Sequence, residues 1–180
     1  MKARRPEAAR SGAAMTTLDI AIEDAWPTAP DWDDLAETAL HAAVGSVPGL
    51  ANPRLSASLL FTSDAEVQVL NREWRGKDKP TNVLSFPMME RADFLTLAPT
   101  GPPELLGDIA LAFETCAREA AEKAVPLDHH AAHLIIHGLL HLAGYDHEIS
   151  PEDAAEMEAL EIKALASMGI GNPYCDAPFD

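Results

Sequence analysis

The chain has 180 residues, 47% of them hydrophobic, and a formal net charge of −16. That length and apolar content suit one globular domain with a sizeable core, and no apolar run approaches the roughly 18 residues that span a bilayer. The charge excludes a general nucleic-acid binder, because contacts to phosphate need Lys and Arg. Residues 1–14 are Arg- and Ala-rich and lack the apolar stretch of a secretory signal. They read as a disordered tail, or as sequence ahead of a start at Met15, and leave 15–180 as a single domain. Cys116 and Cys175 fit no metal spacing and no disulfide framework. They read as free thiols in a reducing cytoplasm.

Leu18–Glu23 alternates apolar and acidic residues, the pattern of a half-buried strand. Asp31–Val47 reads as an amphipathic helix with Leu35, Ala39, Leu40 and Val44 on one face, ended by Pro48 and Gly49. Leu55–Phe61 is an apolar strand. Ser63 and Glu66 form a capping box that opens a helix carrying Val67, Leu70, Asn71 and Trp74. Val83–Phe86 is a short strand, and Met88–Glu104, rich in Pro and Thr, reads as a surface loop. Leu106–Leu111 is a further strand, where Gly107 marks a bulge or a close backbone approach. Glu114–Ala124 is helical. Pro126 suits the first turn of a helix over Leu127–Ala143. Pro151 opens a last helix to about Met168, with Met157, Leu160, Ile162 and Leu165 as its apolar positions. The order β-α-β-α-β-β-α-α-α predicts an α+β fold, with helices packed on one small mixed sheet.

The chemistry concentrates in His137-Gly138-Leu139-Leu140-His141-Leu142-Ala143-Gly144-Tyr145-Asp146-His147. His137 and His141 are one helical turn apart and project from one face. Gly144 permits the turned backbone that ends many helices, so the chain can fold back and bring His147 to the same point. Three imidazoles leave a fourth position open on a zinc ion, as catalytic rather than structural sites do. The spacing is also that of the metzincin protease motif, but Gly138 replaces the glutamate that serves as general base. His133 lies one turn earlier, about 12 Å from His141 along the helix axis, so it supports the ligands or packs. His129 and His130 are expected to be exposed, and His41 partly buried. Asp146 or Asp108 would hold the second nitrogen of one ligand imidazole, with Asp146 as a simple turn residue the other reading. Tyr145 packs over the site or fills core, and Ser85 is structural.

The signature His-Gly-x-Leu-His-Leu-x-Gly-Tyr-Asp-His resembles that of the YbeY family of endoribonucleases, which act in ribosomal RNA maturation. Leu70–Pro87, which reads LNREWRGKDKPTNVLSFP, and Leu106-Gly107-Asp108-Ile109 match the same family, and the resemblance runs from about Leu18 to about Met168. The family usually has Asp where this chain has Asn82. The resemblance implies a zincin-like fold whose metal site lies on a helix in the C-terminal half. It also implies a metal-dependent endoribonuclease that cuts single-stranded RNA, with ribosomal RNA and the small ribosomal subunit as partners. The metal would be one Zn2+ per chain, or another divalent ion, held by His137, His141 and His147.

Arg72, Arg75, Lys77 and Lys79 form the one basic cluster outside the tail, and the resemblance places the family's functional arginine at Arg75. A guanidinium there would neutralise charge that builds on the phosphate. An extended polymer would cross the ion beside a strand edge, for which Leu106–Leu111 is the candidate. The sequence names no general base: Gly138 cannot serve, and Asp146 and Glu148 are the carboxylates nearby. The acidic surface suits docking to a basic ribosomal protein. Two other readings are a zinc metalloprotease-like hydrolase, supported by the spacing and opposed by Gly138, and a non-catalytic ribosome assembly factor whose zinc holds the fold.

Overall fold

The computed structural model describes residues 15–175; the expected tail at 1–14 lies outside them. The elements in chain order are β1 (Thr17–Ile22), α1 (Trp32–Ser46), a 3-10 turn (Pro48–Ala51), β2 (Leu55–Thr62), α2 (Asp64–Arg75), β3 (Val83–Pro87), α3 (Arg91–Thr96), β4 (Glu104–Ala112), α4 (Phe113–Glu122), α5 (Leu127–Leu142) and α6 (Pro151–Ser167). The four strands form one sheet in the order β1-β2-β4-β3. β1, β2 and β4 are parallel, and β3 runs antiparallel to β4. The α+β class with a mixed sheet is therefore as expected. Among the described residues no helix is long and apolar enough to cross a membrane.

The alternation of β2 sends Leu55, Ala57, Leu59 and Phe61 to one face, where they pack with residues of α1, α5 and α6. Leu106, Ile109 and Leu111 of β4 join the same core. Leu106 and Ile109 are an odd number apart and would face opposite ways in a regular strand. The register slips between Ser56 and Ala57, which pair with Leu105 and Gly107 and leave Leu106 extra on β4. This bulge returns both side chains to one face. Gly107 makes it possible: its φ is +152°, and a Cβ there would lie 2.4 Å from the Phe86 carbonyl oxygen. The opposite face of the sheet carries a smaller core of Leu84, Ala110 and Ala112 under Val67 of α2.

Two expectations fail here. Leu106–Leu111 is not an edge, because β3 pairs along its outer side; the free edge beside α5 belongs to β3. Alternation and apolar content reveal a strand but not its neighbours. Met88–Glu104 is not all loop, because it contains α3. A six-residue helix is too short to show periodicity, and its one buried side chain, Phe94, holds it to the core.

Candidate metal centre

α5 is buried on almost every side, with Ile135, Ile136, Leu139 and Leu140 wholly enclosed. It therefore has one orientation, and that orientation directs the rings of His137 and His141 outward together. Their Nε2 atoms face each other at 3.0 Å. Two nitrogens on a tetrahedral zinc, each at about 2.05 Å, would stand roughly 3.3 Å apart. Gly144 then turns the chain with φ +95°, and a Cβ there would meet the Arg91 Cβ at 2.5 Å. Arg91 also lays its guanidinium over the Tyr145 ring, 4.4 Å from its centroid. Thus α3, unseen in the sequence, clamps the turn that delivers His147. The His147 ring centroid lies 5.2 Å from that of His137 and 5.1 Å from that of His141. One nitrogen from each of the three residues falls within 4.8 Å of the others.

The other ring nitrogens are already engaged. His141 donates Nδ1–H to the Tyr145 carbonyl at 2.9 Å. His137 donates Nδ1–H to Glu161 Oε1. Both bonds fix the tautomer that leaves Nε2 as a lone pair, the form a divalent cation needs. The donor set fits a zinc-like ion with an open position.

Glu161 is the residue that sequence reasoning missed. It is fully buried in α6 and accepts from His137, from the Tyr174 hydroxyl and from His133 Nε2, the last at 3.2 Å. Burial pulls its carboxyl upward, but hydrogen bonds from His133 and His137 prevail and hold it down to about 2. The signal was present: Met157, Glu161, Ala164 and Leu165 share one helix face, and the chosen apolar position Ile162 is only half-buried. The two expected carboxylates do other work. Asp146 accepts from the Glu148 amide at 2.8 Å, as a turn residue does, and Asp108 accepts from the Ser58 hydroxyl. Glu148 is exposed.

His133 supports the centre through Glu161 instead of facing the triad. His130 is only 3% exposed, contrary to expectation, with Nε2 3.2 Å from Glu119; burial lowers its pKa. The start of α5 is half-buried, His129 included, and His130 is the first of its residues to be enclosed. His41, expected partly buried, is exposed, since α1 turns that face outward. Asn82 donates to both carboxylate oxygens of Glu119, at 2.9 and 3.0 Å. An aspartate at that position would oppose Glu119, so the neutral amide suits this chain.

A cavity of about 150 Å³, lined by Asn82, Lys123, His130, His133 and Tyr174 among others, runs from the start of β3 to His137. A second, of about 390 Å³, lies between His147 and α6. Arg75 lines neither. It ends α2 on the other face of the sheet, exposed and without an ion-pair partner among the described residues. Gly138 faces β4, where a Cβ would meet Ile109 Cδ1 at 3.0 Å, so a glutamate there would be forced against the sheet.

Glu161 and His141 each have a measurable consequence. Glu161→Gln keeps the size of the side chain but not the charge that His137 and Tyr174 donate to. Metal affinity should fall on the order of 10- to 100-fold, read by competition with a chromophoric chelator; unchanged affinity would remove Glu161 from the centre. The second concerns the metal-free protein. Burial, reinforced by the charges of His137 and His147, holds His141 down to about 4, against about 6.5 when unfolded. The unfolded chain then binds more protons between those values, so stability is full above about 6.5 and declines as pH falls towards 4. Glu161 acts lower: its stabilisation is present above about 4.5 and fades towards 2. Denaturant midpoints at pH 7.5 and 5 should differ less in His141→Asn than in the parent; equal differences would contradict the assignment.

A family model described as Endoribonuclease YbeY matches residues 21–169. A protein of Erythrobacter litoralis named Endoribonuclease YbeY is 60% identical over 159 residues, covering 88% of this chain and 98% of its own. One of the same name from Novosphingobium aromaticivorans is 53% identical over 158 residues, covering 87% and 95%. A solution structure of a Thermotoga maritima protein shares the fold, with a TM-score of 0.56 and 22% identity over 92% of this chain and 99% of that one.

Proposed function

The chain belongs to the YbeY family of endoribonucleases, and from that premise we propose that it cuts single-stranded RNA internally, in the maturation and quality control of ribosomal RNA. The observation that carries the metal dependence is the convergence of His137, His141 and His147, two of them with tautomers already set for a cation. We assign one zinc ion per chain to these three residues. A divalent ion held by His137, His141 and His147 would supply Lewis acidity toward water and toward a phosphoryl oxygen.

The protein's own groups do the rest. Glu161 and the Tyr145 carbonyl hold two of the three rings in place. The side of α5 beside the β3 edge, grooved from Asn82 to His137, offers an extended strand a path to the triad. This is a zincin-like arrangement, with β3 as its edge strand. Arg75 neutralises charge on the RNA phosphate. Residues 15–180 act as one domain, in the cytoplasm, at the small ribosomal subunit. The acidic surface suits a basic ribosomal protein as the partner that presents the RNA.

Labelled single-stranded RNA, the same sequence in a duplex, and an unfolded protein substrate test this reading together. Metal-loaded protein should cut only the first at an appreciable rate. Metal-dependent proteolysis at ordinary protease rates would favour the metalloprotease reading, which the packing of Gly138 against Ile109 opposes.

A further inference from the structure

The chain has three tryptophans. Trp26 and Trp32 are 3% and 2% exposed, whereas Trp74 is 73% exposed. A large aromatic ring in water forfeits the burial that normally holds it, so its setting matters. Trp74 sits in the last turn of α2, between Arg72 and Arg75. Gly76 ends the helix in a left-handed conformation, and the chain doubles back. The Lys77 amide donates to the Asn71 carbonyl at 3.2 Å, and the buried Asn71 side chain donates to the Lys79 carbonyl at 2.8 Å. These bonds fold the loop that carries Lys77 and Lys79 back against Asn71, one turn before Trp74 on α2.

Charge identifies the occupant. Nine of the thirteen Lys and Arg residues lie outside residues 1–14, and four of those nine fall between Arg72 and Lys79. Of the acids in that stretch, Asp78 is met by Arg72 at 3.6 Å and by Gln68 at 3.1 Å, which leaves Glu73. Arg75, Lys77 and Lys79 have no ion-pair partner among the described residues. An exposed ring among free cations, on a chain of net charge −16, matches a polyanion that carries flat rings.

We propose that Trp74 is a stacking platform for a nucleobase of single-stranded RNA, with Arg75, Lys77 and Lys79 on the flanking phosphates. The inference rests on the RNA-cleaving function above and adds a binding subsite away from the metal centre. Nine residues of chain join Trp74 to Val83, at the mouth of the groove, so the two are no more than about 32 Å apart. A single strand that touches both passes round the free edge of β3.

The buried positions of Trp26 and Trp32 make the test selective, because contact quenching by a base reaches Trp74 alone. The metal-loaded protein is titrated with a non-cleavable 2′-O-methyl oligonucleotide and with an abasic strand of equal phosphate count. The expected result is quenching by the first and much less by the second. Trp74→Ala should lose the quench and bind on the order of 10- to 100-fold more weakly, while Trp74→Phe recovers most of the affinity. Equal quenching by the abasic strand, or undiminished binding by Trp74→Ala, overturns the proposal; so does a platform that answers only to a protein partner. RNA cleavage, measured in parallel, separates the two claims. Cleavage without base-dependent quenching sinks the platform alone, and base-dependent quenching without cleavage sinks the nuclease reading alone.

Discussion

His141→Ala should abolish metal binding and reduce RNA cleavage to background. Its Nε2 faces His137 at 3.0 Å, and its Nδ1 is tied to the Tyr145 carbonyl, so no neighbour can substitute. Elemental analysis should give about one equivalent of metal per parent chain and none for the variant. The same loss is visible without activity. An ion that binds only the folded state adds about 4 kcal/mol at a thousandfold excess over its Kd. Metal should therefore raise the denaturation midpoint of the parent and leave that of His141→Ala where it was. Full stoichiometry in the variant would remove His141 from the centre.

Arg75→Glu should show the opposite separation. The side chain is exposed and unpaired among the described residues, so metal content and melting temperature should stay near those of the parent. Cleavage at subsaturating RNA should fall on the order of 10- to 100-fold, in KM more than in kcat, as when one charged hydrogen bond to a phosphate away from the cut is lost. The salt dependence bounds the same patch. If Arg72, Arg75, Lys77 and Lys79 all meet phosphate, log K against log[salt] should have a slope of roughly −3 for a single strand. A much steeper slope would point to a further basic surface, and an undiminished rate in Arg75→Glu would take Arg75 out of the reaction.

What the sequence made legible was set by local geometry. The four-residue spacing of His137 and His141 on a helix and the positive φ of Gly144 depend on neighbours in the chain, and both appear where expected. The Ser63 cap is the same kind of feature: its hydroxyl accepts from the Glu66 amide. What stayed hidden depends on contacts distant in sequence. Glu161 reads as one more acid on an acidic helix until α6 packs on α5 and brings it to His137. Which strand is the edge depends on where β3 pairs, and nothing within Val83–Pro87 states its partner. His130 looked like a polar helix start, but the depth of α5 buries it. Gly138 was read only as the missing protease base; its packing against Ile109 shows why no side chain stands there.

The activity proposed for this chain is metal-dependent internal cleavage of RNA, centred on His137, His141 and His147. It is tested most directly by a time course on end-labelled single-stranded RNA with metal-loaded, chelator-stripped and reloaded protein, beside a variant with all three histidines replaced by alanine. Internal cuts are expected from the loaded protein, none after stripping, recovery on reloading and none from the triple variant under any condition. Cleavage that persists through stripping or in the triple variant, or products that shorten only from an end, would contradict it.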